Sequence, residues 1–276
     1  MGQDSVQSFL STMDELARMN EEEDKSSAWP AIILLLVVIL IAVFCVEFGA
    51  QTLTWIEAKR WAAANPWVAD VPQPLPAVAD NSSAGAQVKA FNYEFNVPWK
   101  TPKSVESLTN VQFKYDSGQV VVFFDPDSQL DVLHSLKSSN PTEYQKFANV
   151  FANQPIESNY ALYQAVYSAS PAQFSPIMKV EEARRDNVLL LWKLSFGPDL
   201  ESIDAPSFYS FDWGKNKGFQ FGDPSKGQPV ALRVFDDNNR QFRFIFTVAY
   251  GSGAKITQSD INMAVRSLQP VPIIDR

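Results

Sequence analysis

Residues 229–249 read PVALRVFDDNNRQFRFIFTVA, and this stretch decides the fold class. Two runs rich in Val, Ile and Phe, 229–235 and 241–249, flank Asp236-Asp237-Asn238-Asn239, whose short polar side chains favour a hairpin loop. Working backwards, 217–221 and 207–211 are further strand candidates. Forwards, Ser259-Asp260 caps a final helix from Ile261 to Leu268, which Pro270 ends.

The N-terminal half of this region begins the same way. β-rich runs occur at 90–97, 111–115 and 119–124, and Asp116-Ser117-Gly118 between the last two is a hairpin signal. A helical middle follows: a segment after Ser128, a second opened by Asn140-Pro141, and a third from Ser158 to Ala169. Residues 187–196 (NVLLLWKLSF) suit either a buried strand or a helix end. The order of strands, helices, strands and a last helix predicts an α+β domain over 88–276. Its expected form is an antiparallel sheet with helices packed on one face.

Ahead of the domain the text changes character. From Trp29 to Val46 no residue is charged, and extension to Ala50 gives 22 residues, about 33 Å as a helix. That length predicts a single transmembrane helix over 29–50 with the lipid bilayer as its partner. Trp55, Trp61 and Trp67, with Lys59 and Arg60 among them, read as an interfacial collar. Residues 51–87 read as a helical neck followed by a proline-rich stalk. Residues 1–28 form an acidic tail, seven acids against Arg18 and Lys25, which lacks the basic start of a signal peptide. Within it Val6, Phe9, Leu10 and Met13 share one helical face, either docking on a partner protein or fraying alone. Arg18 and Lys25 balance Lys59 and Arg60, so the positive-inside rule ties. The uncleaved anchor favours a cytoplasmic N-terminus and an extracytoplasmic domain.

Composition narrows the function. Hydrophobic residues make up 46% and aromatics 13%, which offsets the ordering entropy that keeps polar chains unfolded. The net charge of −8 offers no basic footprint for nucleic acid. Cys45, in the apolar run, is the only cysteine and His134 the only histidine, so no zinc cluster or His-x-x-x-His pair can be assembled. No cofactor is expected.

The sharpest chemical motif is the apolar run 120–124 ending in Asp125-Pro126-Asp127. It resembles the Asp-x-Asp start of haloacid-dehalogenase-like phosphatases, which use Mg²⁺, and Gly222-Asp223 mimics their later acidic motif. The other reading makes Asp125 and Asp127 a turn and a helix cap, and the hairpin context favours it. Gly251-Ser252-Gly253 reads as a loop and Glu181–Asp186 as a solvated helix face. The aromatics Phe208, Tyr209, Trp213 and Phe219 are the candidate partner surface, to the extent that they escape the core.

Tyr93-Glu94-Phe95-Asn96-Val97-Pro98-Trp99, a β-meander and the Ile261…Ser267-Leu268 helix together resemble the PsbP-like fold over about 90–270. The resemblance implies a binding or assembly module without a shared catalytic site. The expected function is therefore a non-catalytic, membrane-anchored binding or assembly module, an accessory subunit of a membrane complex being one form of it. A membrane-tethered Mg-dependent hydrolase is the alternative.

Overall fold

The computed structural model describes residues 55–79, 83–129, 131–151, 155–175, 178–197 and 207–271, together with 37, 38, 49, 52 and 53. The chain divides into two units, Met1–Leu53 and Thr54–Arg276. In the first, the five described positions are helical. The tail face Val6, Phe9, Leu10 and Met13 and nearly all of the expected span 29–50 lie outside the described residues. Among the described residues, no helix is long and apolar enough to cross a membrane.

The second unit is α+β, built on an eight-stranded sheet. Its strands are β1 (Gln73–Pro74), β4 (Lys103–Glu106), β5 (Asn110–Lys114), β6 (Gln119–Phe124), β7 (Phe208–Asp212), β8 (Asn216–Phe221), β9 (Val230–Asp236) and β10 (Gln241–Val248), in the order β1-β7-β8-β9-β10-β6-β5-β4. Every neighbouring pair is antiparallel except β1–β7, so the sheet is mixed at one edge. The β9–β10 hairpin turns where the polar quartet predicts. The Asp236 carboxylate accepts from the N–H groups of Asn238 and Arg240, and Asn239 takes φ 60°, a conformation asparagine tolerates.

Helices on one face is an expectation the structure corrects, because both faces are covered. On one, Val230, Leu232 and Val234 of β9 join Phe242, Phe244 and Phe246 of β10. A three-stranded sheet lies over them: β2 (Ala86–Ala90), β3 (Tyr93–Val97) and β11 (Gln269–Pro270), in the order β11-β3-β2. Its Phe95 meets Phe244 edge-on at 5.2 Å. On the other face, Phe208, Phe219, Phe221 and Phe235 pack under α1 (Val132–Ser139), α2 (Pro141–Val150), α3 (Asn159–Ser168) and α4 (Val180–Phe196). The last helix, α5 (Gln258–Arg266), joins the small sheet's side through Ile261, Ala264 and Val265. The physical reason lies in β9, whose Val230-Ala231-Leu232 and Val234-Phe235 are apolar at successive rather than alternate positions, as in strands buried on both faces; β8 too is buried at successive positions, polar Asn216 and Gln220 included.

The ambiguous stretch 187–196 is the second half of α4. Glu181 and Glu182 sit in its first turn and Lys193 in its last, matching the helix dipole. For α5 the cap is Thr257, two residues before the expected Ser259: its hydroxyl accepts from Asp260 N–H while the Asp260 carboxylate accepts from Thr257 N–H, closing a capping box.

Residues 55–75 are docked on the domain rather than extended away from it. Residues 55–64 are helical, Ala58 and Val68 are fully buried, and Trp55, Trp61 and Trp67 pack against the second core. The expected aromatic collar is thus largely a core contact of this unit. β1 then pairs with β7, and the Ser170 hydroxyl donates to the Ala69 carbonyl at 3.1 Å. Proline content signals extension, but it carries no information about docking.

Candidate functional site

A half-open cleft of about 960 Å³ lies where β8 ends, β9 begins and β10 runs into the loop before α5. Leu75, Pro76 and Val78 form one wall, Pro224 and Pro229 another, and Val248, Tyr250 and Ile256 a third. Cavities of this size, mostly apolar with a few converging polar groups, are the usual form of a ligand site.

Asp223 and Lys255 are the charged residues lining this cleft, and Asp223 is the one built into a hydrogen-bonded turn. It caps the short turn Pro224–Lys226: Oδ1 accepts from the Ser225 N–H at 2.9 Å and the Ser225 hydroxyl at 2.6 Å. Oδ2 accepts from the Tyr209 hydroxyl at 3.2 Å and lies 3.8 Å from Lys226 Nζ. Burial works to raise the Asp223 pKa, but the Ser225 bonds, the Tyr209 hydroxyl and Lys226 outweigh it, and the carboxyl ends below its usual value. It therefore stays ionised at neutral pH. The backbone around it is fixed too, since Asp223 N–H donates to Gln228 Oε1 and Gln228 N–H returns to the Asp223 carbonyl.

Beside it, Gln258 at the start of α5 exchanges paired amide bonds with buried Gln220, at 2.8 and 2.9 Å, and also reaches Asn262. The loop 249–257 is anchored at both ends: Ala249 N–H donates to the Gly118 carbonyl at 2.7 Å, and the Gln119 amide donates to the Lys255 carbonyl at 3.1 Å. Gly118 permits that approach. Its φ is +100°, and a Cβ there would collide with the Ser252 side chain. The loop carries Tyr250, which is fully exposed.

Of the aromatics singled out in the sequence, only Tyr209 lines the cleft. Phe208 and Phe219 are 7% and 1% exposed, which removes both from any partner surface. Phe208 stacks on Phe221 at 4.4 Å, and Phe219 meets Tyr167 edge-on. Trp213 is half-buried on Phe211, with Arg266 over its ring, away from the cleft. Asp125 accepts from the Asp127 N–H at 3.0 Å as the cap of a short turn, and neither acid lines the cleft. His134 is exposed in the first turn of α1. Asp186 in the charge run is buried and paired with Arg185, so that helix face is only partly solvated. Sequence reasoning passed over Val248, Tyr250 and Ile256; no local pattern marks them, because the cleft assembles from segments some 180 residues apart.

No protein-family profile matches the chain, and no curated protein matches it.

Proposed function

We propose that the chain is a membrane-anchored binding or assembly module, with residues 29–50 as its bilayer anchor and the Thr54–Arg276 unit as its recognition domain. The cleft bounded by Leu75, Asp223, Val248 and Tyr250 carries this reading. Its polar groups hold one another in place: Asp223 caps a turn, Gln258 pairs with Gln220, and Tyr209 donates to Asp223. Such a preorganised apolar surface recognises a partner at low ordering cost. The PsbP-like resemblance implies the same kind of role, and the uncharged length of 29–50 supports the anchor.

We place the N-terminus in the cytoplasm and the domain outside it. Ser117→Cys, on an exposed turn, tests this in a Cys45→Ser background by labelling intact cells with an impermeant maleimide. Labelling only after lysis would reverse the topology. Two measurements test the function. The full chain should stay with membranes in alkaline carbonate, and a small apolar probe such as indole should shift the methyl resonances of Leu75, Val78, Val248 and Ile256. Magnesium-dependent phosphatase activity lost in Asp125→Asn would replace this reading with the hydrolase.

A further inference from the structure

Strand β10 outruns its neighbour inside the cleft. The β9–β10 ladder ends at Phe246 opposite Val230, whereas the β6 ladder continues to Val248 opposite Gln119. In an antiparallel strand, successive residues direct their N–H and C=O to alternate sides. Ala249 N–H goes to Gly118 on the β6 side, so Val248 directs its N–H and C=O to the β9 side. There Gln228 would be the partner, but it has turned its N–H to the Asp223 carbonyl. The Val248 backbone pair takes no partner among the described residues, and Val248 is 37% exposed.

We infer that the cleft takes an extended peptide carrying a basic side chain, which adds to the free edge of β10 at Val248 and places its cation toward Asp223. This rests on the binding-module reading and names its ligand class. Three independent features converge on it. The open strand edge asks for an extended backbone, the recognition mode of strand addition. The walls of Leu75, Pro76, Val78, Pro229 and Tyr250 accept apolar side chains without supplying competing hydrogen bonds. The Asp223 carboxylate is ionised; its Oδ2 accepts one hydrogen bond, from Tyr209, and Lys226, which donates to the Ser207 hydroxyl, pairs with it at 3.8 Å without a hydrogen bond. A ligand cation there gains charge-assisted contact, whereas an acidic side chain meets repulsion.

The test uses the full chain in nanodiscs and a fluorescein-labelled heptapeptide of alternating valine and threonine with one central arginine. Saturable binding is expected, weakened at least tenfold when glutamate replaces the arginine and at least tenfold when alternate amides are N-methylated. Asp223→Asn keeps the turn cap, since asparagine caps as well as aspartate. It should abolish the arginine-over-glutamate preference. The N-methylated peptide probes the edge without altering the protein, so no folding defect can mimic the result. Equal binding of methylated and unmethylated peptides, or an arginine preference surviving Asp223→Asn, overturns the inference. If indole shifts the cleft methyls but no peptide binds, the peptide inference falls and the binding module stands. If neither binds, both fall.

Discussion

Lys193 of α4 donates from Nζ to the backbone carbonyl of Asp70 at 2.6 Å, across 123 residues of chain. The same ammonium donates to the carbonyls of Tyr167, at 3.0 Å, and Ala169, at 2.7 Å, and its side chain is fully buried. Three donors thus meet three carbonyls from two segments, one the end of α3 and one the chain entering the domain. The C-terminal end of α3 presents the negative pole of a helix, which suits a cation. Across the same helical layer, Arg233 of β9 donates to the Tyr163 hydroxyl at 2.6 Å and to the Phe196 carbonyl at the end of α4. Buried cations therefore fasten the helices to the sheet and residues 66–70 to the helices.

Lys193→Met should destabilise the protein by about 2–4 kcal/mol, because it leaves the buried Tyr167 and Ala169 carbonyls and the part-buried Asp70 carbonyl without donors. The loss should read as a lower urea midpoint and as faster proteolysis within 66–79. An unchanged midpoint would mean that water replaces the ammonium.

The pH dependence of that contact has a definite sign. Burial pushes Lys193 down to about 8 in the folded state, against about 10.4 for a free lysine. Between these values the unfolded chain holds the extra proton, so stability rises with pH from about 8. Burial raises Tyr115 and Tyr160, and these act in the opposite sense only above about pH 10. Urea midpoints between pH 7.5 and 9.5 should therefore climb in the wild type, and climb less in Lys193→Met.

Phe219→Ala should cost about 3–5 kcal/mol as a core truncation, while Trp213→Ala should cost about 1 kcal/mol. Equal effects in thermal melts would contradict the burial difference between these two aromatics.

Gly118→Val should cost about 2–3 kcal/mol, because a Cβ at φ +100° is strained and meets Ser252. Its second consequence is local: displacement of the 249–257 loop should change the methyl resonances of Val248 and Ile256 while leaving those of the helical layer in place.

Asp223→Ala should lose about 1 kcal/mol with the turn cap, and Asp223→Asn much less. Because its folded pKa is lowered, the wild-type contribution is present at neutral pH and fades as acid protonates the carboxylate. Acid titration of the two variants should lack that component.

The hairpins and the starts of α2 and α3 were legible because their causes are local; α1 begins at Val132 under an Asp131 cap, three residues after the expected Ser128. Asp236 to Asn239 make a turn by their own side chains, Gly118 by its free φ, and Ser158 caps α3 by accepting from the Ala161 N–H. The capping box of Thr257 and Asp260 is equally local, but Ser259 two residues on offers a competing cap of the same chemistry. The aromatics 208–221 were only half legible. Alternation assigns each side chain to a face of the sheet, yet both faces here are buried, so Phe208 and Phe219 are core and Tyr209 lines the cleft.

What the sequence by itself determined is set by neighbours a few residues apart: strand and helix content, the α+β class, the polar turns, and an uncharged run of bilayer length. The tertiary structure alone decided which groups meet at a distance. It put a second sheet over β9 and β10, docked residues 55–75 against α3 and α4 through Lys193, and brought Leu75, Asp223 and Val248 to one cleft. The physical reason is that burial and pairing are contributed by partners remote along the chain, and local propensity has no term for them.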